Sequence, residues 1–210
     1  MSPLEAPSVI VLAAGRSRRM EERNKLLLKI GGRPVLTRVL RAFAEAPVAE
    51  LIVVTGAQRE RVAALVESTD GARAAHNPEF RSGMASSIRR GIRAADPETP
   101  GLALCPADLP LLSARTVDVL FRTFAGETRP RIVAPTYEGQ QGHPVLFGAS
   151  FRGALLDLEG DRGARGLLRQ DEAPITRVPV PDDGILRDVD TPEALERVRW
   201  RVARADVADP

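Results

Sequence analysis

Three short aliphatic runs, residues 8–12, 51–55 and 102–105, constrain this chain more than anything else in it. Each is too short for a helix, is rich in Val, Ile, Leu or Ala, and lacks polar alternation. That pattern reads as a strand buried on both faces. Between the runs, apolar residues recur at helical spacing: Leu36, Val39, Leu40 and Phe43 after Pro34, then Val62, Leu65 and Val66. Strands alternating with helices predict an α/β chain whose largely parallel sheet is covered by helices. The same reading continues downstream. It places a short strand at 72–76, a helix at 83–95 ended by Asp96-Pro97, and a helix capped by Ser113 that carries Val117, Leu120, Phe121 and Phe124. A strand follows at 131–134, a hairpin or long loop at 137–147, a helix at 151–158 and a strand at 175–180. Thr191-Pro192 opens the last helix, with Leu195, Val198 and Val202 facing inward and a frayed tail after Arg204. Residues 140–169 interrupt the rhythm and read as an insertion, about 137–170, within one domain over 1–210 whose core spans about 8–203.

Composition narrows the function classes. Hydrophobic residues make up 43% of the 210 and aromatics only 4%, so the core is aliphatic. A net charge of +2 gives a weak field, and no basic cluster carries interleaved aromatics, which argues against a nucleic-acid binder. The single cysteine, Cys105, excludes an internal disulfide and any multi-cysteine metal centre, and two distant histidines give no reason to propose zinc. No apolar segment approaches membrane-spanning length and no signal pattern opens the chain, so the expected location is the cytoplasm.

Arginine supplies nearly all the positive charge; the only lysines are Lys25 and Lys29. Lys25 follows an informative segment, Leu12-Ala13-Ala14-Gly15-Arg16-Ser17-Arg18-Arg19-Met20, directly after the first strand. In a doubly wound sheet, loops at strand carboxyl ends line the ligand crevice. Small residues at 13–15 let a ligand approach backbone amides, and Arg16, Arg19 and Lys25 can neutralise a polyphosphate. The loop lacks a Walker ending and the three-glycine dinucleotide spacing. By composition it is open between a phosphate loop and a solvated basic loop. Asp108 ends the third strand between Pro106 and Pro110, as a hard oxygen ligand suited to Mg²⁺ or as a turn residue. Asp190, just before Pro192, reads by itself as a helix cap.

Together the segments resemble the molybdenum cofactor nucleotidyltransferases, the MobA/MocA-like branch of the nucleotide-diphospho-sugar transferase superfamily. The family's opening pattern matches at Leu12 to Gly15, Ser17, Arg19, Met20 and Lys25, and departs at Glu21, where the family usually has Gly. Further matches follow in order. They are Asn77-Pro78-Glu79-Phe80 with Gly83 and Ser86-Ser87, Pro106-Ala107-Asp108-Leu109-Pro110, Gly142-His143-Pro144-Val145, Gly160-Asp161-Arg162-Gly163-Ala164-Arg165, and Asp188-Val189-Asp190-Thr191-Pro192. The resemblance covers about residues 9–202 and implies a Rossmann-like three-layer α/β/α fold with a mostly parallel mixed sheet.

The resemblance also implies a Mg²⁺-dependent transfer of CMP from CTP to the phosphate of the molybdenum-pterin cofactor, with release of pyrophosphate. Leu-Ala-Ala-Gly goes with cytidylyltransferases in this family and Leu-Ala-Gly-Gly with guanylyltransferases, so Ala14 leans toward CTP. Asp108 and Asp190 would hold Mg²⁺, with Lys25 and Arg19 beside them as catalytic residues. Leu12, Ala13, Ala14, Gly15, Arg16, Ser17, Asn77, Gly83, Ser87 and Pro106 would line the nucleotide. Gly142, His143, Pro144, Asp161 and Arg165 would face the acceptor. Some of these stay open: His143 between bracing its loop and touching acceptor, Asp161 between a turn and a contact, Arg165 between capping or pairing and a contact. A molybdenum hydroxylase-type enzyme is an implied transient partner. The alternatives are a GTP-using or other small-acceptor enzyme of the superfamily, and a non-catalytic carrier of the cofactor. Isoprenoid-pathway cytidylyltransferases usually carry Pro-Lys-Gln where this chain has Asn24-Lys25-Leu26, which counts against them.

Overall fold

The structure is a computed structural model that describes residues 6–17, 19–20, 24–126, 132–161, 163–169 and 174–208, the side chains of 205–208 excepted. Arg18, Glu21, Arg131 and Arg162, named above, lie outside the described residues. In chain order the elements are β1 (Ser8–Ala13), β2 (Lys29–Ile30), β3 (Arg33–Pro34), α1 (Val35–Ala44), β4 (Glu50–Thr55), α2 (Arg59–Glu67), β5 (Ala72–His76), α3 (Met84–Ala94) and β6 (Gly101–Pro106). They continue as α4 (Ala114–Ala125), β7 (Ile132–Tyr137), β8 (Gln140–Gln141), β9 (Val145–Gly148), α5 (Arg152–Leu156), α6 (Arg165–Leu168), β10 (Ile175–Pro179) and α7 (Pro192–Ala208).

The main sheet runs β10-β7-β9-β6-β1-β4-β5, with β8 hairpinned onto β7. β1 pairs in parallel with both β4 and β6, which sets Ala13 opposite Thr55 and Leu12 opposite Pro106. The carboxyl ends of these three central strands therefore open onto one edge. Alternate residues of β1 feed two cores. Val9 and Val11 pack in one with Leu36, Val39, Leu40 and Phe43 of α1, and with Val117 and Leu120 of α4. Ile10 faces the other, with Ile88 and Ile92 of α3 and Leu155 of α5. The four α1 residues are completely buried, each worth about 1.5–3 kcal/mol against leaving it in water. On the second face, α3 lies close enough to the sheet that a Cβ on Gly91 would come within 2.3 Å of Ile10 Cγ2, so only glycine fits there.

Ser113 caps α4, accepting from the Thr116 amide at 3.2 Å, as its position before the apolar repeat predicts. Two expectations change. The segment read as an insertion supplies β9 to the middle of the sheet, antiparallel to β6 and β7, so residues 145–148 are buried core. Their run is only four residues long and follows a turn, which hides it beside the longer parallel strands. The last helix does not fray after Arg204 but continues to Ala208.

Candidate active site

Backbone hydrogen bonds carry the chain across the open edge and bring the loops there together. The Ala57 amide donates to the Ala14 carbonyl at 3.2 Å, tying the first loop to the turn after β4. A Cβ on Gly56 would lie 2.7 Å from that same carbonyl oxygen, so the glycine lets the turn press against Ala14. The Ala107 amide donates to the Leu12 carbonyl at 3.3 Å, and the Val189 amide to the Asp108 carbonyl at 2.9 Å. That last bond joins the mid-chain Pro-flanked turn to the Asp-Thr-Pro segment more than eighty positions later.

Side chains complete the junction. The Lys25 ammonium donates to Asp108 Oδ2 and, at 2.5 Å, to Asp190 Oδ1. Arg19 reaches the other oxygen of Asp190 at 3.0 Å. Ser17, at a left-handed φ of 48°, accepts from the Lys25 amide through its hydroxyl and fixes where the lysine leaves the loop. Lys25 and Asp108 side chains are only 14% and 15% exposed, whereas Asp190 and Arg19 are 40% and 72% exposed. Thr191, not Asp190, caps α7, accepting from the Ala194 amide at 3.2 Å, which leaves Asp190 free for the ion pairs.

Electrostatics follow from this packing. Burial pushes the Lys25 pKa down, but the Asp108 charge and hydrogen bonds to both aspartates outweigh it and hold the ammonium above its ordinary value. Burial pushes Asp190 up, and the hydrogen bond and charge of Lys25, with the charge of Arg19, bring it below its ordinary value. Asp188 is raised, by burial first and then by the charges of Asp108 and Asp190.

A divalent cation fits this donor set. Two carboxylates already converge on one cation, the Lys25 ammonium, and Asp108 Oδ1 is buried with no hydrogen-bond partner among the described residues. Hard oxygen donors of this kind suit Mg²⁺ or Mn²⁺.

The residues expected on the nucleotide side divide into exposed and structural groups. Gly15 and Arg16 are exposed, Leu12, Ser17 and Pro106 half-buried, and Ala13 and Ala14 buried. Asn77 and Ser87 are buried and bonded to each other: both Asn77 amide hydrogens are used, at 2.9 Å to Ser86 and 3.0 Å to Ser87, and its oxygen accepts from Glu79. They brace the start of α3 from inside the protein and offer no free amide hydrogen to a ligand. Gly83 adopts φ 113°, and a Cβ on it would sit 2.5 Å from the Gly160 carbonyl oxygen.

The expected acceptor residues fall in two places: His143 lies within electrostatic reach of Asp108 and Arg165, and Asp161 lies against the start of α3. His143 follows Gly142, whose amide donates to the Pro135 carbonyl at 2.9 Å and whose Cα faces Ile185 too closely for a Cβ. Pro144 is buried. Burial lowers the His143 pKa to about 4; the Asp108 charge opposes this, the Arg165 charge adds to it, and a backbone bond to Leu104 opposes it. The imidazole is thus neutral at pH 7 and electrostatically in reach of Asp108 and Arg165. Asp161 Oδ1 accepts from the Met84 amide at 3.1 Å, and the Gly160 carbonyl accepts from the Ala85 amide at 3.0 Å. Asp161 therefore caps α3 from 77 positions away, and Arg165 stands exposed at the start of α6.

The residues that sequence reasoning misses are supports. Asp182 accepts from the Ser113 amide at 3.2 Å and the Thr116 hydroxyl at 2.9 Å, anchoring α4 beneath the site; its Asp-Asp-Gly setting is a recognisable turn signal. Arg38 donates to the Pro110 carbonyl at 3.1 Å and the Ile30 carbonyl at 3.3 Å, tying the Asp108 turn to the strand after Lys25.

Comparison with known proteins matches residues 9–175 to the MobA-like NTP transferase domain. The chain belongs to that family. This MobA-like NTP transferase is accordingly a nucleotidyl-transferring enzyme. It is 28% identical over 210 residues to the protein named nicotine blue oxidoreductase of Paenarthrobacter nicotinovorans, covering 94% of this chain and 100% of that one. The crystal structure of a Mycobacterium tuberculosis rv0371c homolog from Mycobacterium sp. strain JC1 superposes with a TM-score of 0.82 at 27% identity, covering 98% and 100% of the two chains. The M. tuberculosis Rv0371c structure in complex with manganese gives 0.77 at 25% identity, covering 93% and 98%. Among the described residues of this MobA-like transferase, no helix is long and apolar enough to cross a membrane.

Proposed function

We propose that the enzyme transfers CMP from CTP to the phosphate of the molybdenum-pterin cofactor and releases pyrophosphate. The observation that carries this reading is the meeting of Lys25, Asp108 and Asp190 at the strand edge beneath the 12–17 loop. Ala14 supports CTP, since it is buried against Gly56, and a Cβ there narrows the space left for a base. The manganese complex of Rv0371c supports use of a divalent ion, with Mg²⁺ as the cellular choice.

Asp108 and Asp190 would hold Mg²⁺, which when bound neutralises charge at the reacting phosphates. Arg16 and Arg19 engage the polyphosphate from the loop, and Lys25 offsets negative charge as pyrophosphate leaves. The acceptor phosphate is already mostly ionised at pH 7, so the protein positions it in line and takes no proton from it. The neutral His143 offers an uncharged ring beside that phosphate, and Arg165 a guanidinium. A molybdenum hydroxylase-type enzyme would be the recipient of the product.

The test is pyrophosphate release by the purified protein with Mg²⁺, molybdenum cofactor and each of CTP, GTP, ATP and UTP. CTP is expected to give the fastest release; faster release with GTP would transfer the reading to the guanylyl reaction. The name of the Paenarthrobacter relative sets the other rival. If that chemistry were also this chain's, no nucleoside triphosphate would yield pyrophosphate.

A further inference from the structure

A carboxylate shielded from water needs a counter-charge, and the side chain that provides it for Asp108 also serves the half-exposed Asp190. The Lys25 ammonium bonds to Asp108 Oδ2 and Asp190 Oδ1 together. Lys25 and Asp108 are largely shielded from water, so solvent screens their attraction little. The same two carboxylates are the pair that fits a divalent ion. An ammonium and a hard cation cannot both take Oδ2 of Asp108, and Oδ1, the remaining donor, is buried without a partner among the described residues.

We infer that Lys25 is the resident cation of the Asp108–Asp190 pair and competes with a divalent metal for it until a polyphosphate draws the ammonium away. This rests on the nucleotidyltransferase reading. A lysine suits such a double role because its charge sits at the end of a flexible four-carbon stem. Before substrate arrives it neutralises the carboxylates; afterwards it moves a short way to phosphate oxygens, which are equally good anionic partners. Metal alone then binds weakly, and metal with nucleotide binds well, because the nucleotide removes the competitor. The protein thereby admits its metal in the company of a substrate.

The experiment titrates full-length protein with Mn²⁺ alone and follows the free ion by electron paramagnetic resonance. Lys25→Met is expected to tighten Mn²⁺ binding at least about tenfold, and Lys25→Gln to shift it in the same direction. Arg19→Met is the control for general charge, since Arg19 is exposed and its ion pair among the described residues is with Asp190; it is expected to change binding less than about threefold. Adding Asp108→Asn to Lys25→Met should abolish the gain. Unchanged or weaker binding in both Lys25 variants overturns the competition while leaving the metal assignment intact. An Arg19 effect as large as that of Lys25 also overturns it. Equal affinity of Lys25→Met with and without Asp108→Asn would place the ion elsewhere and sink the metal assignment itself. Where a Lys25 variant is poorly folded, melting curves carry the same decision: Mn²⁺ raises its Tm more than that of the wild type, and an equal shift overturns the inference.

Discussion

The two halves of the crevice are built by opposite means. Around Lys25, charged side chains hold one another: Lys25 between Asp108 and Asp190, with Arg19 at the rim. Around residues 142–143 and 161, main-chain groups and caps do the holding: Gly142 on Pro135, the His143 amide on Ile185, and Asp161 on the start of α3. The first arrangement leaves side chains ready to exchange partners when a substrate brings its own charges. The second fixes where a loop stands, and leaves few side chains, His143 and Arg165 chief among them, to make contacts. Ion pairing and main-chain bracing are thus assigned to different loops.

If that division is right, the largest loss of activity belongs to the charged half. Asp108→Ala should lower pyrophosphate release by about a hundredfold to a thousandfold, a scale typical of losing one focused electrostatic contact. Release within a few-fold of wild type would remove Asp108 from the chemistry. Melting under matched conditions separates this from unfolding.

His143 should show its effect in stability against pH. Its pKa is lowered from 6.5 to about 4 in the folded protein. The unfolded chain takes up a proton below about pH 6.5 and the folded one only below about pH 4, so stability is complete above this window and falls as pH drops through it. At about 1.4 kcal/mol per pH unit the loss is on the order of 3 kcal/mol at most. Denaturation midpoints at pH 7 and pH 4.5 should differ more for wild type than for His143→Asn; equal differences would mean that the ring is not held neutral.

Asp161 should have the smallest effect. Asp161→Ala removes one cap from α3 and should cost about 1 kcal/mol, with Asp161→Asn recovering most of it. If the amide failed to rescue while acceptor binding was lost, Asp161 would belong with the substrate contacts instead.

Much of the fold is legible in the sequence because the central strands are buried on both faces, which leaves continuous aliphatic runs at 8–12, 51–55 and 102–105. Ser113 is legible because a cap acts on its own next turn. What escapes is whatever acts at a distance. Asp161 caps a helix 77 positions earlier. Asn77 looks like a ligand contact in its motif, yet its hydrogen bonds turn inward to Ser86 and Ser87. Lys25, Asp108 and Asp190 can each be picked out by motif, but no spacing in the chain says that one ammonium touches both carboxylates. Arg38, with ordinary helical neighbours, gives no signal at all.

The reversed strand β9 has a consequence for how such a cleft can diversify. Its neighbour β6 runs toward the ligand edge and β9 runs away from it, with Val145 opposite Leu104. The tip at 138–144, between the carboxyl end of β7 and the start of β9, therefore lies at the same edge as the carboxyl end of β6. Length and chemistry at that tip can drift through insertion or exchange without shifting the register of β1, β4 or β6. The reversed strand β9 thus separates the length of the 138–144 tip from the register of the central parallel strands.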